Sequence, residues 1–465
     1  MTKKFRVWLE SVGLEQKEYQ IAGYEWCRNI ELGKKELGGG IICDEMGLGK
    51  TILMLGCIIT GDPTSSTLIV VPPSLLEQWK ACIKKFLYID AFVYHGINVK
   101  NTTLEELNQK LVVLTTYGMI AERKNPRYQS MLWLPTWDRL ICDEAHHVRN
   151  PQTNICKGAF RIKSRIKWLV TGTPIQNSTK DIQILFALLG KMIIGEKELR
   201  AYISQYVLRR TKASVGIVLP NHTRKTIIVG WESKREENLA ASIHAQIPLF
   251  GVSVDVNNVN KIMDVLDYEH ILPLFVRARQ ACINPRLLEH HVDSLKENSV
   301  IPEDFHLTRV STTSKISAVV RKILSQPKKK KKIVFCYYRM EIDELKERLE
   351  AENFTVGVMD GRSKKSEKMK ACDPETAPEI LLAQIQSASE GLNLQHFSQV
   401  YFTSPHWNPA VEEQAIARAH RIGQQSSVET FHFEMAPFGE DQLTIDSYCM
   451  EVQRRKRELM KMLDQ

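Results

Sequence analysis

No two cysteines in this chain are spaced Cys-x-x-Cys, although ten are spread from Cys27 to Cys449. That spacing excludes a zinc ribbon or RING module, so no structural zinc is expected. Several cysteines lie inside apolar runs such as Leu140-Ile141-Cys142, which points to reduced core thiols in an intracellular protein. Long apolar stretches are also missing, and the opening Met1-Thr2-Lys3-Lys4-Phe5-Arg6 leads into none, so no membrane partner is expected. A strong excess of one charge is absent too: Lys+Arg 63 against Asp+Glu 54 leaves +9, which permits a polyanionic partner without demanding one. What is present is 465 residues, 43% hydrophobic and 25% charged, enough for two or three globular domains that each bury a core.

The first half repeats one rhythm, short apolar runs separated by stretches long enough for a helix. The runs are Gly40-Cys43, Leu68-Val71, Phe92-His95, Val112-Thr115, Leu140-Cys142 and Trp168-Val170. Such alternation predicts an α/β fold, a parallel sheet covered by helices, with functional residues at the carboxyl ends of the strands. Asp44, Pro72, Thr116, Asp143 and Thr171 stand at those ends. From roughly Gly190 to Leu307 the rhythm breaks and the chain reads mostly helical. It resumes with Ile333-Cys336, Phe354-Val358, Ile380-Ala383, Val400-Phe402 and Val428-Phe433, so a second domain of the same class is expected. The closing Val452 to Leu459 reads as a charged helix able to brace that second domain.

Asp44-Glu45-Met46-Gly47-Leu48-Gly49-Lys50-Thr51 sits between an apolar run and the apolar Ile52-Leu53-Met54-Leu55. This predicts a buried strand, a glycine turn and a helix beginning at Lys50. A turn of that kind aims backbone N–H groups and a positive helix end at one point and can cradle a polyphosphate, with Lys50 on the outer phosphates and Thr51 on magnesium. The strict pattern has glycine where this chain has Asp44.

Leu140-Ile141-Cys142-Asp143-Glu144-Ala145-His146 is a strand ending in two carboxylates. Beside a phosphate cradle, Asp143 is placed to hold a metal and Glu144 to orient and polarise water. Thr171-Gly172-Thr173-Pro174-Ile175-Gln176-Asn177 forms another strand-end turn able to touch that pair. In the second half, Gln414, Arg418 and Arg421 fall at helical spacing, which predicts one face carrying two guanidinium groups suited to a developing phosphoryl charge. Such a group is worth roughly a thousandfold in rate. Two other features invite chemistry less strongly. His290-His291 has no evident third ligand and reads as surface, and Lys328 to Lys332 reads as a solvated loop more readily than as a nuclear address or phosphate contact.

The ordered set Tyr19-Gln20, DEMGLGKT (44 to 51), Ile69 to Trp79 (IVVPPSLLEQW), Thr115-Thr116-Tyr117, DEAH (143 to 146), TGTPIQN (171 to 177), Leu208-Arg209-Arg210-Thr211-Lys212, Trp407-Asn408-Pro409 and RAHRIGQ (418 to 424) resembles the Swi/Snf-type ATPases of helicase superfamily two. The resemblance covers nearly the whole chain. It implies two tandem RecA-like lobes with helical protrusions between them: lobe 1 over 1–225, a helical protrusion and linker over 226–310, and lobe 2 over 311–465. It implies ATP and Mg2+ as ligands, Gln20 reading adenine, and Asp44, Glu45, Met46, Gly47, Leu48, Gly49, Lys50 and Thr51 forming the cradle. Thr51 and Asp143 would hold the metal, and Lys50, Asp143, Glu144, Gln414, Arg418 and Arg421 would carry catalysis.

The resemblance further implies double-stranded DNA contacts from Pro72, Ser74, Thr115, Thr116 and Tyr117 in the first lobe and from Gly391, Asn393, Trp407 and Asn408 in the second. Two positions depart from the family pattern, Ser387 to Gly391 and Asn284. The implied protein is a DNA-dependent ATPase that translocates on duplex DNA and slides or displaces nucleosomes or other bound proteins, as a monomeric motor or a subunit. Its compartment would be a nucleus, a viral factory or a bacterial cytoplasm. A strand-separating DNA or RNA helicase and a nucleotide-gated DNA-binding protein are the alternatives.

Overall fold

The computed structural model describes residues 2–33, 35–125, 129–175, 178–247, 271–386, 393–439 and 442–461. Two compact units divide the chain, the second beginning at Leu219.

The first unit is built on seven strands: β1 (Gly40–Ile42), β2 (Thr67–Val71), β3 (Phe92–Tyr94), β4 (Val112–Thr116), β5 (Thr136–Asp143), β6 (Lys163–Val170) and β7 (Val207–Leu208). They lie in the order β3-β4-β2-β5-β6-β1-β7, and every pairing is parallel. β1, β2 and β4 are buried along their whole length, as strands covered on both faces must be, and this is why they read as unbroken apolar runs. Register aligns their carboxyl ends. Val170 has Ile42 on one side and Asp143 on the other, and Val71 lies beside Thr116. The glycine turn, the carboxylate pair and Thr171 therefore share one edge of the sheet.

A buried ion pair ties the helix Glu18–Glu31 to this sheet. Arg139 on β5 donates to both Glu31 oxygens at 2.8 and 3.0 Å, and the Trp168 indole on β6 donates to Glu31 at 2.9 Å. Burial alone pushes the Glu31 carboxyl up, but these donors outweigh it and hold its pKa below the ordinary value. Gln20, near the start of the same helix, is thereby held in place.

The second unit carries β8 (His222–Val229), β9 (Lys332–Cys336), β10 (Val356–Met359), β11 (Ile380–Gln384), β12 (Gln399–Phe402) and β13 (Val428–Met435), ordered β10-β11-β9-β12-β13-β8 and again parallel throughout. Here the structure differs from the expected helical middle. Residues 222–229 are a strand at the sheet edge, paired on one side only with β13 and mostly exposed, so their polar sequence carried no apolar run to read. The helices Lys234–Ala245 and Ile271–Ile283 do form. They contribute Leu239, Ile243, Phe275 and Cys282 to the same core as Val334, Tyr401 and Phe431.

Lys315 fixes the corner of this unit. Its buried amine is ion-paired with Asp446 and donates to Ser404 at 2.7 Å, while Asp446 also accepts the Met435 N–H at 3.0 Å. The helix Ile445–Lys461 that starts there buries Tyr448, Cys449 and Val452, and Gln453 donates to the His406 carbonyl at 2.6 Å.

The lysine run is largely consumed by structure. Lys332 is buried and donates to the Pro327 and Lys330 carbonyls, Lys331 to those of Pro374 and Ala377, Lys328 to that of Asn353, and Lys330 pairs with Glu429 at 2.9 Å. His290 and His291 end a short 3-10 stretch. Among the described residues no group of three or more His, Cys, Asp or Glu side chains is placed to hold a metal, and no helix is long and apolar enough to cross a membrane.

Candidate nucleotide site

Between β1 and the helix Lys50–Ile59 the chain turns through Gly47 (φ 92°) and Gly49 (φ 81°), left-handed values that glycine adopts without strain. A Cβ at Gly49 would lie 2.3 Å from the Gln20 side-chain nitrogen, so a larger residue there would be strained in backbone and would displace the Gln20 side chain. That nitrogen donates to the Leu48 carbonyl at 3.3 Å, which brings Gln20 against the turn. The helix begins at Lys50, as the sequence predicts. The Lys50 amine donates to the Asp44 carbonyl at 2.7 Å and approaches that of Glu45 at 3.5 Å, folded back on its own loop.

Asp44, the departure from the strict pattern, has a structural role. Its buried carboxylate is ion-paired with Arg210, with Nε at 3.0 Å from Oδ1, and the same guanidinium also donates to the Tyr19 carbonyl. Glu45 accepts the Lys212 N–H at 2.7 Å and its amine at 2.8 Å, and backbone bonds Cys43 to Leu208 and Glu45 to Arg210 complete the seam. The Leu208-Lys212 stretch is thus laced along the cradle. Sequence reasoning singled out that stretch without finding this purpose, because its partners lie more than a hundred residues away.

At the end of β5, Asp143 accepts the Trp79 indole N–H at 2.7 Å on one oxygen and the Glu144 N–H at 3.0 Å on the other. Burial and then the neighbouring Glu144 charge raise the Asp143 carboxyl to about 6, while the Trp79 N–H and the Lys50 charge pull it down. The Lys50 influence registers the nearness of cradle and carboxylate. Glu144 itself takes a left-handed conformation (φ 53°) that caps the 3-10 turn Ala145–Val148. Its carboxylate lies 3.3 Å from His146 Nδ1, which is also 3.2 Å from the Thr171 hydroxyl. His146 thus links the Thr171 hydroxyl to the Glu144 carboxylate. Gln176 and Asn177 lie outside the described residues.

The first-lobe residues expected to touch DNA divide. Pro72 is half-buried, and Pro73 and Ser74 are exposed on a 3-10 turn. The side chains of Thr115, Thr116 and Tyr117 are all buried and bonded within the unit. Thr115 donates to the Tyr94 carbonyl at 2.8 Å, Thr116 lies 3.3 Å from His95 Nδ1, and the Tyr117 hydroxyl donates to the Asp143 carbonyl at 2.7 Å. The exposed surface of that turn is Gly118.

In the second unit, Asn408 caps the helix Pro409–Ala419 by accepting the Ala410 N–H at 3.1 Å. Trp407 is half-buried against Phe275 and Tyr448, with the Arg279 guanidinium over its ring. Gln414 and Arg418 lie four apart on the helix, but Arg421 does not continue their face. The helix stops at Ala419, whose carbonyl accepts the Gln424 side chain at 3.1 Å, and Arg421 stands in the turn beyond it. Asn393 is exposed, its neighbour Leu394 donating to the Arg418 carbonyl at 3.1 Å. Gly391 and the Ser387 turn lie outside the described residues. Asn284 is buried and caps the stretch after it.

These residues fit a triphosphate with a divalent cation. The turn runs through two glycines in left-handed conformation, Lys50 brings the positive charge, and the Thr51 hydroxyl and Asp143 carboxylate are hard oxygen donors of the kind Mg2+ takes.

Residues 19–198 match the SNF2-related domain and residues 314–423 the helicase conserved C-terminal domain. The chain is 26% identical over 466 residues to a "Probable global transactivator" of Orgyia pseudotsugata multicapsid polyhedrosis virus, covering 94% of this chain and 89% of that protein. It is also 26% identical to an uncharacterized ATP-dependent helicase of Mycoplasma pneumoniae (96% of this chain, 42% of the relative) and to the ISWI chromatin-remodeling complex ATPase ISW2 of Saccharomyces cerevisiae (90% and 38%). The chain thus spans most of the viral protein and less than half of the other two. Among solved structures, the Sulfolobus solfataricus SWI2/SNF2 ATPase core in complex with dsDNA matches at 22% identity and a TM-score of 0.41, covering 91% of this chain and 88% of that one. With an SNF2-related domain ahead of a helicase C-terminal domain, the chain belongs to the Swi/Snf-type ATPases of helicase superfamily two.

Proposed function

We propose that this chain is a DNA-stimulated ATPase that moves along double-stranded DNA without parting its strands and so slides or displaces bound proteins, nucleosomes foremost. The observation that carries the hydrolytic half of this reading is the sheet edge where the carboxyl ends of β1 and β5 flank that of β6, so that the glycine turn and the Asp143-Glu144 pair follow from the same edge. Relatives named as an ATP-dependent helicase and as a chromatin-remodeling ATPase support the same assignment.

In this reading Gln20 faces the adenine, and the N–H groups of the glycine turn and Lys50 hold the phosphates. Thr51 and Asp143 hold Mg2+, which when bound offsets phosphate charge. Glu144, positioned by His146, orients the attacking water and takes its proton, a role worth about a hundredfold to ten-thousandfold in rate. Arg418 and Arg421 supply positive charge to the phosphoryl group, and Gln414 orients Arg418 from the preceding helical turn. Duplex DNA is gripped by the Pro72–Ser74 turn, by the backbone near Gly118, and by Asn393 and Asn408. Trp407, half-buried beside Asn408, adds its exposed edge to that grip. The compartment is one that holds DNA.

Roadblock displacement tests the motor half. With a bound protein at a known site on linear duplex, and a positioned nucleosome run alongside, wild type plus ATP is expected to clear or shift the obstacle, while Lys50→Ala plus ATP leaves it in place. Equal release by Lys50→Ala, or by wild type without ATP, contradicts translocation.

A further inference from the structure

We propose that Trp79 and Tyr117 are the positioning residues through which DNA contact reaches Asp143. The inference rests on the reading of this chain as a DNA-stimulated ATPase and specifies how the stimulation is built. Asp143 receives a hydrogen bond from each residue, Trp79 lying one helical turn beyond the exposed Pro73–Ser74 turn and Tyr117 standing immediately before the exposed Gly118 at the carboxyl edge of the first sheet.

The first path begins at Pro73 and Ser74, exposed on the 3-10 turn after β2. The Leu75 N–H bonds back to the Pro72 carbonyl at 3.0 Å, closing the turn, and the helix Leu76–Leu87 starts without a break. Trp79 sits in its first turn, about 7 Å along the axis from Ser74. A helix start this short moves as one piece. The Trp79 ring is 2% exposed, a site where phenylalanine would satisfy packing, yet the chain places there an indole whose N–H meets Asp143 Oδ2 at 2.7 Å. A bond from N–H to a carboxylate is stronger than a neutral one and is directional. Displacing the Ser74 turn therefore displaces the donor that orients the metal-holding carboxylate.

The second path begins at Gly118, where an added Cβ would meet nothing within 4 Å. Beside it, Tyr117 turns inward and donates its hydroxyl to the Asp143 main-chain carbonyl at 2.7 Å. One residue is thus held by its side chain from one turn and by its backbone from the other. The Tyr117 ring also lies 5.1 Å from His147, which stacks on His146 at 4.7 Å, and His146 reaches Glu144 at 3.3 Å. Tyr117 consequently holds the Asp143 backbone directly and reaches the Glu144 carboxylate through the two histidine rings. Its strand end is fixed by the Thr115 and Thr116 hydroxyls, which explains why hydroxyl residues are buried there.

The test compares Trp79→Phe and Tyr117→Phe with wild type in three readouts: duplex affinity without nucleotide, ATP turnover without DNA, and turnover at saturating duplex. Tyr117→Phe removes one oxygen and serves if Trp79→Phe proves poorly folded. The expected result is unchanged duplex affinity with a stimulation factor reduced about tenfold or more in Trp79→Phe, the rate equivalent of one hydrogen bond to a charged group, and by about threefold to tenfold in Tyr117→Phe, whose bond is to a neutral carbonyl. A fall in basal and stimulated turnover by the same factor means the two residues only hold the carboxylate, and overturns the coupling. Full stimulation in both variants overturns it as well. If wild type itself shows no stimulation, the broader reading falls and takes this inference with it, whereas stimulated wild type with equally stimulated variants removes the inference alone.

Discussion

Glu144→Gln is expected to bind ATP as wild type does and to turn it over about a thousandfold more slowly. The substitution preserves volume and keeps an oxygen that can face His146, so the turn after β5 should survive it. The capacity to accept a proton from water is lost, and with it the negative charge that pushes the Asp143 carboxyl up. Glu144 is held in left-handed backbone, a conformation that costs a non-glycine residue about 1 kcal/mol or more and persists where surrounding structure enforces it. The enforcement here comes from the 3-10 turn Ala145–Val148 and from the Glu144 N–H bonded to Asp143. A nucleotide-binding titration run beside a phosphate-release assay separates binding from chemistry. Turnover by Glu144→Gln equal to wild type would mean that hydrolysis is incidental and that the chain is a nucleotide-gated binding protein.

Arg210→Ala is expected to lower the stability of the first unit by about 3–5 kcal/mol and to weaken ATP binding with it. The reason is electrostatic. The Asp44 side chain is 1% exposed, and its paired charge is the Arg210 guanidinium. Removing the arginine leaves a carboxylate in low dielectric at the start of the phosphate cradle, and also releases the seam to Tyr19 beside Gln20. Adding Asp44→Ala to Arg210→Ala should recover part of the loss, since no charge is then stranded. Denaturant titration of Arg210→Ala, Asp44→Ala and the double variant measures this. Additive losses in the double variant would show that the pair is not coupled.

The central strands of both sheets were legible because parallel strands covered on two faces must be apolar along their length, as Leu68-Ile69-Val70-Val71 and Ile333-Val334-Phe335-Cys336 are. The glycine turn was legible because its conformation demands particular residues at particular places. What stayed hidden depends on partners distant in the chain. Asp44 looks like a lapse in a motif until Arg210 is laid against it, and Thr115, Thr116 and Tyr117 look like exposed hydroxyls until Tyr94, His95 and Asp143 supply their bonds. Arg421 keeps helical spacing on paper, yet the Gln424 side chain closes the helix before reaching it. β8 escaped notice because an edge strand needs few apolar residues.

The most direct measurement is ATP turnover by the whole chain with duplex DNA, single-stranded DNA and RNA as separate activators at matched nucleotide concentration. A duplex translocase of this design predicts that double-stranded DNA raises turnover well above the other two. Stimulation by single-stranded DNA or RNA that equals or exceeds the duplex effect would contradict it and mark the chain as a strand-separating enzyme.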